Sequence, residues 1–231
     1  MARELRYPLS AADFAQLPLP VLTKRLVAPW WNLRWAHHAD LEAPFFISAT
    51  GRLTPNSGAV PCLYLAKTRE AAFFELYGDD LDAAQKRSQR HRFSRGELER
   101  RIFLRMSADL TVKLYDLTAK KSARAIGLDL ATLYSPTVNY SREFAQRLHD
   151  HPAKFDGIQY LSRHTQSICT VLWGTHHLAL ASLSFERGPS LWQLAEYDRA
   201  LPPVRLRLFS TEVEVAQGLT KISSSRAEQR E

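Results

Sequence analysis

Short apolar runs separated by polar and turn residues recur along the chain, and they predict a core built largely of strands. Cys62–Ala66 (CLYLA) is a continuous apolar run between turn residues and is typical of a buried strand. Residues 110–117 (LTVKLYDL) and 158–162 (IQYLS) alternate apolar and polar positions, and Ile168–Trp173 (ICTVLW) is again apolar. These four segments predict strands with one buried face, joined by polar loops.

Two segments have helical spacing instead. Thr68 can cap a helix that we expect to end near Tyr77, just before Gly78, because glycine commonly follows a helix end. Asn139–His149 (NYSREFAQRLH) places apolar residues on one side at helical intervals, and Pro152 marks the end of this second helix. The strand-loop-helix unit around Thr68 contains the first candidate for chemistry.

Glu75 lies in the middle of the first predicted helix, between the apolar segments AAFF and LY. An ionised carboxylate in apolar surroundings loses hydration at a cost of several kcal/mol unless a cation compensates it. Arg52 is the nearest basic candidate in sequence. A glutamate on a helix is more often solvated, so this segment alone leaves both a catalytic and a surface role open.

Ser162 is the second candidate, because it ends a predicted strand and is followed by the polar loop RHTQS. No GxSxG elbow surrounds it, which argues against a serine nucleophile. A hydroxyl that orients a ligand by hydrogen bonding needs no activating base, and this is the favoured interpretation.

The composition describes a globular chain with a basic surface. Its 231 residues are 45% hydrophobic, and its net charge is +7. Eight Lys or Arg residues stand against two Glu residues between positions 86 and 105. This stretch is either a solvated basic helix and loop or a contact for nucleic acid or an acidic protein, and no zinc-finger or helix-turn-helix spacing accompanies it.

Other features exclude several function classes. Cys62 and Cys169 both lie in apolar runs, so we expect buried free thiols rather than a disulfide or a zinc site. His37 and His38 are adjacent and lack the spacing of a helical metal pair, so no metal is expected. No segment has the length of a membrane span or a secretion signal, which predicts a cytoplasmic protein without membrane contact.

Five motifs follow one another along the chain: LRW with Arg34, GRLTPNSG with Arg52, PCLYLAKTREAAFFE with Tyr64 and Glu75, LYDLT, and DGIQYLSR with Ser162. Taken in this order, they resemble the RES domain, a family named for its Arg, Glu and Ser. The resemblance extends from about residue 34 to residue 174. The loop after Arg52 and the basic insertion before residue 102 differ from the compact family pattern.

The resemblance implies an α+β fold similar to ADP-ribosyltransferases, with a mixed, mostly antiparallel central sheet flanked by helices. It implies an NAD+-degrading toxin that is neutralised by an Xre-type antitoxin, through which any contact with nucleic acid would be indirect. The expected organisation is an irregular N-terminal extension over 1–31, a RES-like catalytic domain over 32–209, and a tail over 210–231 whose end is disordered. Delivery as an effector remains an alternative to a cytoplasmic role.

The same resemblance assigns roles around NAD+, which is the substrate, so that no other cofactor is expected. Glu75 would face the positive ribose that forms as nicotinamide leaves. Arg34 and Arg52 would bind the pyrophosphate, since guanidinium groups donate in pairs to phosphate. Tyr64 would stack on nicotinamide, and Ser162 would hydrogen-bond the amide or the ribose. Glu75, Arg52 and Ser162 are the expected catalytic residues.

Several outcomes stay open at this stage. Water as acceptor would make the protein a glycohydrolase, phosphate a phosphorylase, and a protein side chain an ADP-ribosyltransferase. A non-catalytic binding module that uses its basic stretch is a further alternative.

Overall fold

The computed structural model describes residues 10–39, 41, 44–45, 51–57, 59–87, 91–119, 122–123, 126, 128, 130–133, 138–174, 183–196, 204–209 and 212–217. Within these residues, no helix is long and apolar enough to cross a bilayer.

The described chain is a mixed α/β structure with a large sheet and a small one. The strands are β1 (Leu22–Leu26), β2 (Trp30–Trp35), β3 (Cys62–Ala66), β4 (His91–Ser94), β5 (Arg101–Met106), β6 (Leu110–Asp116), β7 (Gly157–Leu161), β8 (Ile168–Trp173), β9 (Phe185–Ser190), β10 (Val204–Phe209) and β11 (Glu212–Gln217). The helices are α1 (Ala11–Ala15), α2 (Arg69–Lys86), α3 (Arg95–Arg100), α4 (Leu130–Leu133), α5 (Asn139–His149) and α6 (Leu191–Glu196).

Eight strands form the main sheet in the order β1-β6-β7-β8-β3-β2-β5-β9. Its neighbouring strands are antiparallel except β6 and β7, which are parallel. The small sheet has the order β10-β11-β4. The predicted mixed, mostly antiparallel sheet flanked by helices is confirmed, and β3, β8 and α5 have the predicted bounds.

The main sheet is strongly curled. β5 and β6 lie next to opposite edges of the sheet, yet only residues 107–109 connect them. Five strand spacings of about 4.8 Å separate two such positions in a flat sheet, which is roughly 24 Å. Four extended residue steps span only about 14 Å, so a flat sheet is impossible.

The curl divides the interior into two cores. The inner core joins residues from both edges of the sheet, such as Leu26 of β1, Met106 of β5 and Leu114 of β6, so it fills the inside of the curl. The outer core lies where α2 and α5 pack against the other face, and it includes Phe73 and Phe144. We call these two faces the inner face and the outer face.

Helix α2 is longer than its sequence signals predict. Its start is as expected, because the Thr68 hydroxyl accepts a hydrogen bond from the Ala71 amide at 3.1 Å. The helix does not end near Tyr77 but continues through Gly78 to Lys86, since Leu81 and Ala84 extend its buried stripe. Gly78 is instead a position where another side chain, that of His164, packs closely against the helix.

Regular structure is present within both the N-terminal extension and the C-terminal tail. Within 10–31, α1 and β1 are formed, and Leu22 and Leu26 of β1 pair with Leu114 and Leu110 of β6. Within 210–231, β11 pairs with β4. In both cases strand partners distant in sequence stabilise a segment whose local pattern is weak. The predicted disorder of residues 220–231 lies outside the described residues.

Candidate active site

A carboxylate and a phenol meet on the outer face. The Tyr160 hydroxyl donates a hydrogen bond to Oε2 of Glu75 at 2.7 Å, joining β7 to α2. Tyr160 is only 5% exposed, and burial, followed by the charge of Glu75, raises its pKa well above the ordinary value. Tyr160 therefore stays protonated and remains a donor to the carboxylate across the physiological pH range.

The surroundings of Glu75 differ from the expectation in two ways. The residue is exposed, because α2 buries the neighbours Phe74 and Tyr77 on its other side and turns Glu75 toward solvent. Its partner is Tyr160, whereas Arg52 forms an ion pair with Asp79. An exposed carboxylate held by one hydrogen bond retains acceptor capacity for a ligand.

Arg52 lies on a segment, residues 51–57, that is fixed by side chains of the sheet. The Tyr64 hydroxyl accepts a hydrogen bond from the Leu53 amide at 3.1 Å and shares another with the Thr54 hydroxyl at 3.0 Å. Trp173 of β8 donates from Nε1 to the Leu53 carbonyl at 3.2 Å. Tyr64 thus anchors the Arg52 segment, and its stacking on nicotinamide stays a prediction.

The Arg52 segment also requires a glycine at one position. A Cβ at Gly51 would lie 2.5 Å from the Tyr64 hydroxyl and 2.3 Å from Oγ1 of Thr54. Any larger residue would displace the hydrogen bonds that hold the segment. The sequence GRLT therefore combines the arginine with the glycine that lets it approach β3.

Two arginines approach one carboxylate on α2. Nη2 of Arg52 lies 3.5 Å from Oδ2 of Asp79, one helical turn after Glu75, and Nη1 donates to the Leu133 carbonyl at 3.3 Å. Arg163, from the loop between β7 and β8, contacts Oδ1 of the same aspartate through Nη2. Burial, then the charge of Arg52, lowers the pKa of Arg163, and Glu75 acts in the opposite direction. Glu75, Arg52 and Arg163 thus form one electrostatic cluster.

His164 lies beside this cluster and is packed against α2. A Cβ at Gly78 would lie 2.3 Å from Nε2 of His164, so the imidazole occupies the space that a larger residue would fill. The ring lies nearly parallel to Phe74, with 6.1 Å between centroids and an interplanar angle of 24°. Burial, followed by the charge of Arg163, lowers the pKa of His164, so the ring is neutral at neutral pH.

Ser162 is fully buried at the end of β7. Its amide donates to the Ser167 carbonyl at 2.8 Å and its carbonyl accepts from the Gln166 amide at 2.9 Å, which closes the hairpin loop between β7 and β8. Its hydroxyl has no hydrogen-bond partner among the described residues. A buried polar atom without a protein partner costs free energy, which is consistent with a hydroxyl reserved for a ligand or water.

Arg34 is not brought to this cluster. Its neighbour Leu33 belongs to the outer core, so alternation along β2 directs Arg34 to the inner face, where it is 4% exposed. There Nε donates to the Asn32 side chain and Nη1 to the His38 carbonyl at 3.2 Å. Burial lowers the pKa of Arg34 to about 10, so it remains charged. The geometry gives no support to its predicted contact with pyrophosphate.

Asp79, Asp82 and His164 also form the kind of group that can bind a metal, with ligand atoms within 4.8 Å of one another. Asp79 is already in contact with Arg52 and Arg163, and two guanidinium groups beside it oppose the approach of a cation. This donor set fits an ion-pair network better than a metal centre.

Four residues of the site were not identified as functional from the sequence: Tyr160, Arg163, His164 and Asp79. A signal was present for the first, because Tyr160 alternates with Ser162 on one face of a strand. For Asp79 and His164 the sequence contains no comparable signal, since their contact depends on how the β7–β8 loop crosses α2.

The fold is similar to that of a known structure. A chain of the crystal structure of the M. tuberculosis MbcT-MbcA toxin-antitoxin complex matches with a TM-score of 0.53 and 19% sequence identity, covering 75% of this chain and 90% of that one. Among curated proteins, none matches this chain.

The family model of the RES domain matches residues 29–195, which include Arg52, Glu75, Ser162 and the residues that hold them. The protein belongs to the RES domain family, and the resemblance noted from its motifs is confirmed.

Proposed function

We propose that the protein is a RES-type toxin that cleaves the nicotinamide–ribose bond of NAD+, with water or inorganic phosphate as acceptor. Membership of the RES family and similarity to a chain of a toxin-antitoxin complex support this proposal. The observation that carries it is the exposed Glu75 carboxylate, which is held by Tyr160 and lies in one electrostatic cluster with two arginines.

The chemistry requires little from the protein beyond electrostatics. As the C1′–N bond breaks, its electron pair leaves with nicotinamide and positive charge develops on the ribose. Glu75 stabilises that charge, and the carboxylate is already oriented by the hydrogen bond from Tyr160, which limits reorganisation during the reaction. Water or phosphate then adds to C1′, and water loses its proton to solvent or to Glu75.

Two further residues bind the substrate in this proposal. Arg52 binds the pyrophosphate, and the unpartnered Ser162 hydroxyl binds the nicotinamide amide or the ribose. In the cell, an antitoxin of the Xre type would neutralise the enzyme by binding over this site.

Release of nicotinamide from NAD+ by the purified protein tests the proposal, measured with and without phosphate so that ADP-ribose and its 1″-phosphate are distinguished. We expect Glu75→Gln to lower kcat by about 10²- to 10³-fold, because it removes the charge that stabilises the transition state. Asp80→Asn, an exposed acid on the same helix, is the matched control. An absence of nicotinamide release from the wild-type protein in both buffers would refute the proposed activity.

A further inference from the structure

Two cations from distant parts of the chain meet at one aspartate on α2. Arg52 and Arg163 are separated by more than one hundred residues, yet both contact the carboxylate of Asp79. Their side chains are 18% and 25% exposed, whereas Asp79 is 59% exposed. Two partly buried guanidinium groups repel each other, and the Asp79 carboxylate beside them carries one negative charge against their two positive charges.

The chemistry of this pair fits a diphosphate. Guanidinium groups donate in forked pairs to phosphate oxygens, and two of them match the two adjacent charges of a diphosphate. The pair lies about one helical turn from Glu75, because Asp79 follows Glu75 by four residues. A dinucleotide whose ribose faces Glu75 therefore has its diphosphate within reach of both arginines.

We infer that Arg163 is a second diphosphate-binding residue beside Arg52, and that His164 positions its guanidinium. The identity of the ligand rests on the proposed function, whereas the convergence of the two arginines does not.

The contacts of His164 explain how it would act. Nε of Arg163 donates to Nε2 of His164 at 3.1 Å, which requires that Nε2 carry no proton. Nδ1 of the same ring faces Oδ2 of Asp82 at 3.4 Å, which favours the tautomer with the proton on Nδ1. The side chain is 9% exposed and is confined between Phe74 and Gly78. His164 belongs to the same β7–β8 loop as Arg163, and these contacts hold its ring, and with it the acceptor for Arg163, against helix α2.

Calorimetry of ADP-ribose binding tests the role of Arg163 without requiring turnover. Adenosine, which has no phosphate, is the comparison ligand. We expect Arg163→Gln to weaken ADP-ribose at least about tenfold, because one charge-assisted contact to phosphate is lost. The control is Arg25→Gln. Arg25 lies on β1, away from the site, and its Nη2 is 2.9 Å from Oδ2 of Asp109. Equal ADP-ribose affinity of the wild-type protein and Arg163→Gln would overturn the inference.

Steady-state kinetics test the specificity for the diphosphate. The ratio of kcat/KM for NAD+ to that for nicotinamide riboside, which has no phosphate, is expected to fall about tenfold in Arg163→Gln, mainly through the KM for NAD+. An unchanged ratio would contradict the assignment of Arg163 to the diphosphate.

A double-mutant cycle tests the positioning role of His164. His164→Leu removes the acceptor and is expected to raise the KM for NAD+ as Arg163→Gln does, with no further rise in the double variant. His164→Gln restores an acceptor near the position of Nε2 and should recover much of the affinity. If the two substitutions raised the KM for NAD+ additively, or if His164→Leu and His164→Gln had the same KM, His164 would not act through Arg163.

The two proposals fail separately in these experiments. A protein that binds ADP-ribose through Arg163 but releases no nicotinamide would refute the NAD+-cleaving function and leave the diphosphate site in place. Conversely, the protein could cleave NAD+ while Arg163→Gln changes neither the KM for NAD+ nor the affinity for ADP-ribose. That result would refute the role of Arg163 at the diphosphate and leave the NAD+-cleaving function in place.

Discussion

The hydrogen bond from Tyr160 to Glu75 links a buried strand to an exposed helical face. Glu75 itself is accessible to a ligand, and its orientation depends on a phenol that is almost entirely enclosed by the sheet. This division separates the reactive group from the group that holds it. A rigid partner in the core gives a surface carboxylate a defined direction, which electrostatic stabilisation of a developing charge requires.

Tyr160→Phe tests this dependence. Loss of a hydrogen bond to a charged group costs about 1.5–3 kcal/mol, so we expect kcat/KM for NAD+ to fall roughly 10- to 100-fold, measured as nicotinamide release. Tyr115→Phe is the control, because it also removes a buried phenol hydrogen bond, the 2.7 Å contact to the Ser122 carbonyl. It should lower stability without a matching loss of activity, and similar losses in both variants would argue against a specific role of Tyr160.

Individual site residues differ in how far the sequence predicts them. Arg52, Glu75 and Ser162 lie in motifs that resemble those of the RES domain, and all three lie on or beside α2 and the β7–β8 loop. Arg34 lies in a motif too, but its face is decided by strand register, which one residue of shift would reverse. The exposure of Glu75 was not predictable either, since an apolar flank in sequence does not say which side of a helix is covered.

Among the elements, α2 and the β7–β8 loop determine the site together. Gly78 ended the helix in the sequence-based prediction because glycine favours helix ends. In the structure the absence of a side chain at Gly78 lets His164 lie directly on the helix. The glycine was therefore taken for a helix end, although it is present because His164 packs against it in the tertiary structure.

Gly78→Ala and Gly96→Ala form a matched pair of helical glycine substitutions. Alanine stabilises an open helical site by up to about 1 kcal/mol. We expect that gain at Gly96, where the nearest heavy atom to a Cβ is 3.8 Å away, but not at Gly78, where the imidazole lies at 2.3 Å. Chemical denaturation measures both free energies of unfolding, and an equal gain at the two positions would contradict the close packing of His164.

At the scale of the whole molecule, several arginines of the basic stretch have partners within the protein. Four arginines at its C-terminal end stack on aromatic rings, pair with glutamates or bond to backbone. The contacts are Arg95 with Glu99 and Trp192, Arg100 with the Gly96 carbonyl, Arg101 with Trp35 at 3.5 Å, and Arg105 with Glu186. The ion pairs of Arg95 with Glu99 and of Arg105 with Glu186 therefore offset part of the positive charge of this stretch.

The protein should accordingly bind duplex DNA weakly and with a shallow dependence on salt. Neutralising few phosphates gives a small slope of log K against log salt, and we expect about two phosphates or fewer. Fluorescence anisotropy at several salt concentrations measures this slope. A steep slope that collapses when Arg87, Arg90 and Arg92 are neutralised would instead favour a nucleic-acid-binding module.

The order of strands also determines when during synthesis the site can exist. Arg52 and Glu75 lie in the first third of the chain, whereas Tyr160 and Ser162 lie on or beside β7, which is joined to β3 only through β8. During synthesis on the ribosome, domains generally fold as units. A nascent chain that ends before Ile168 contains Glu75, Arg52 and Tyr160 but lacks β8, the strand that joins β7 to β3 in the sheet. The growing polypeptide therefore has no assembled site until most of its RES region has been translated.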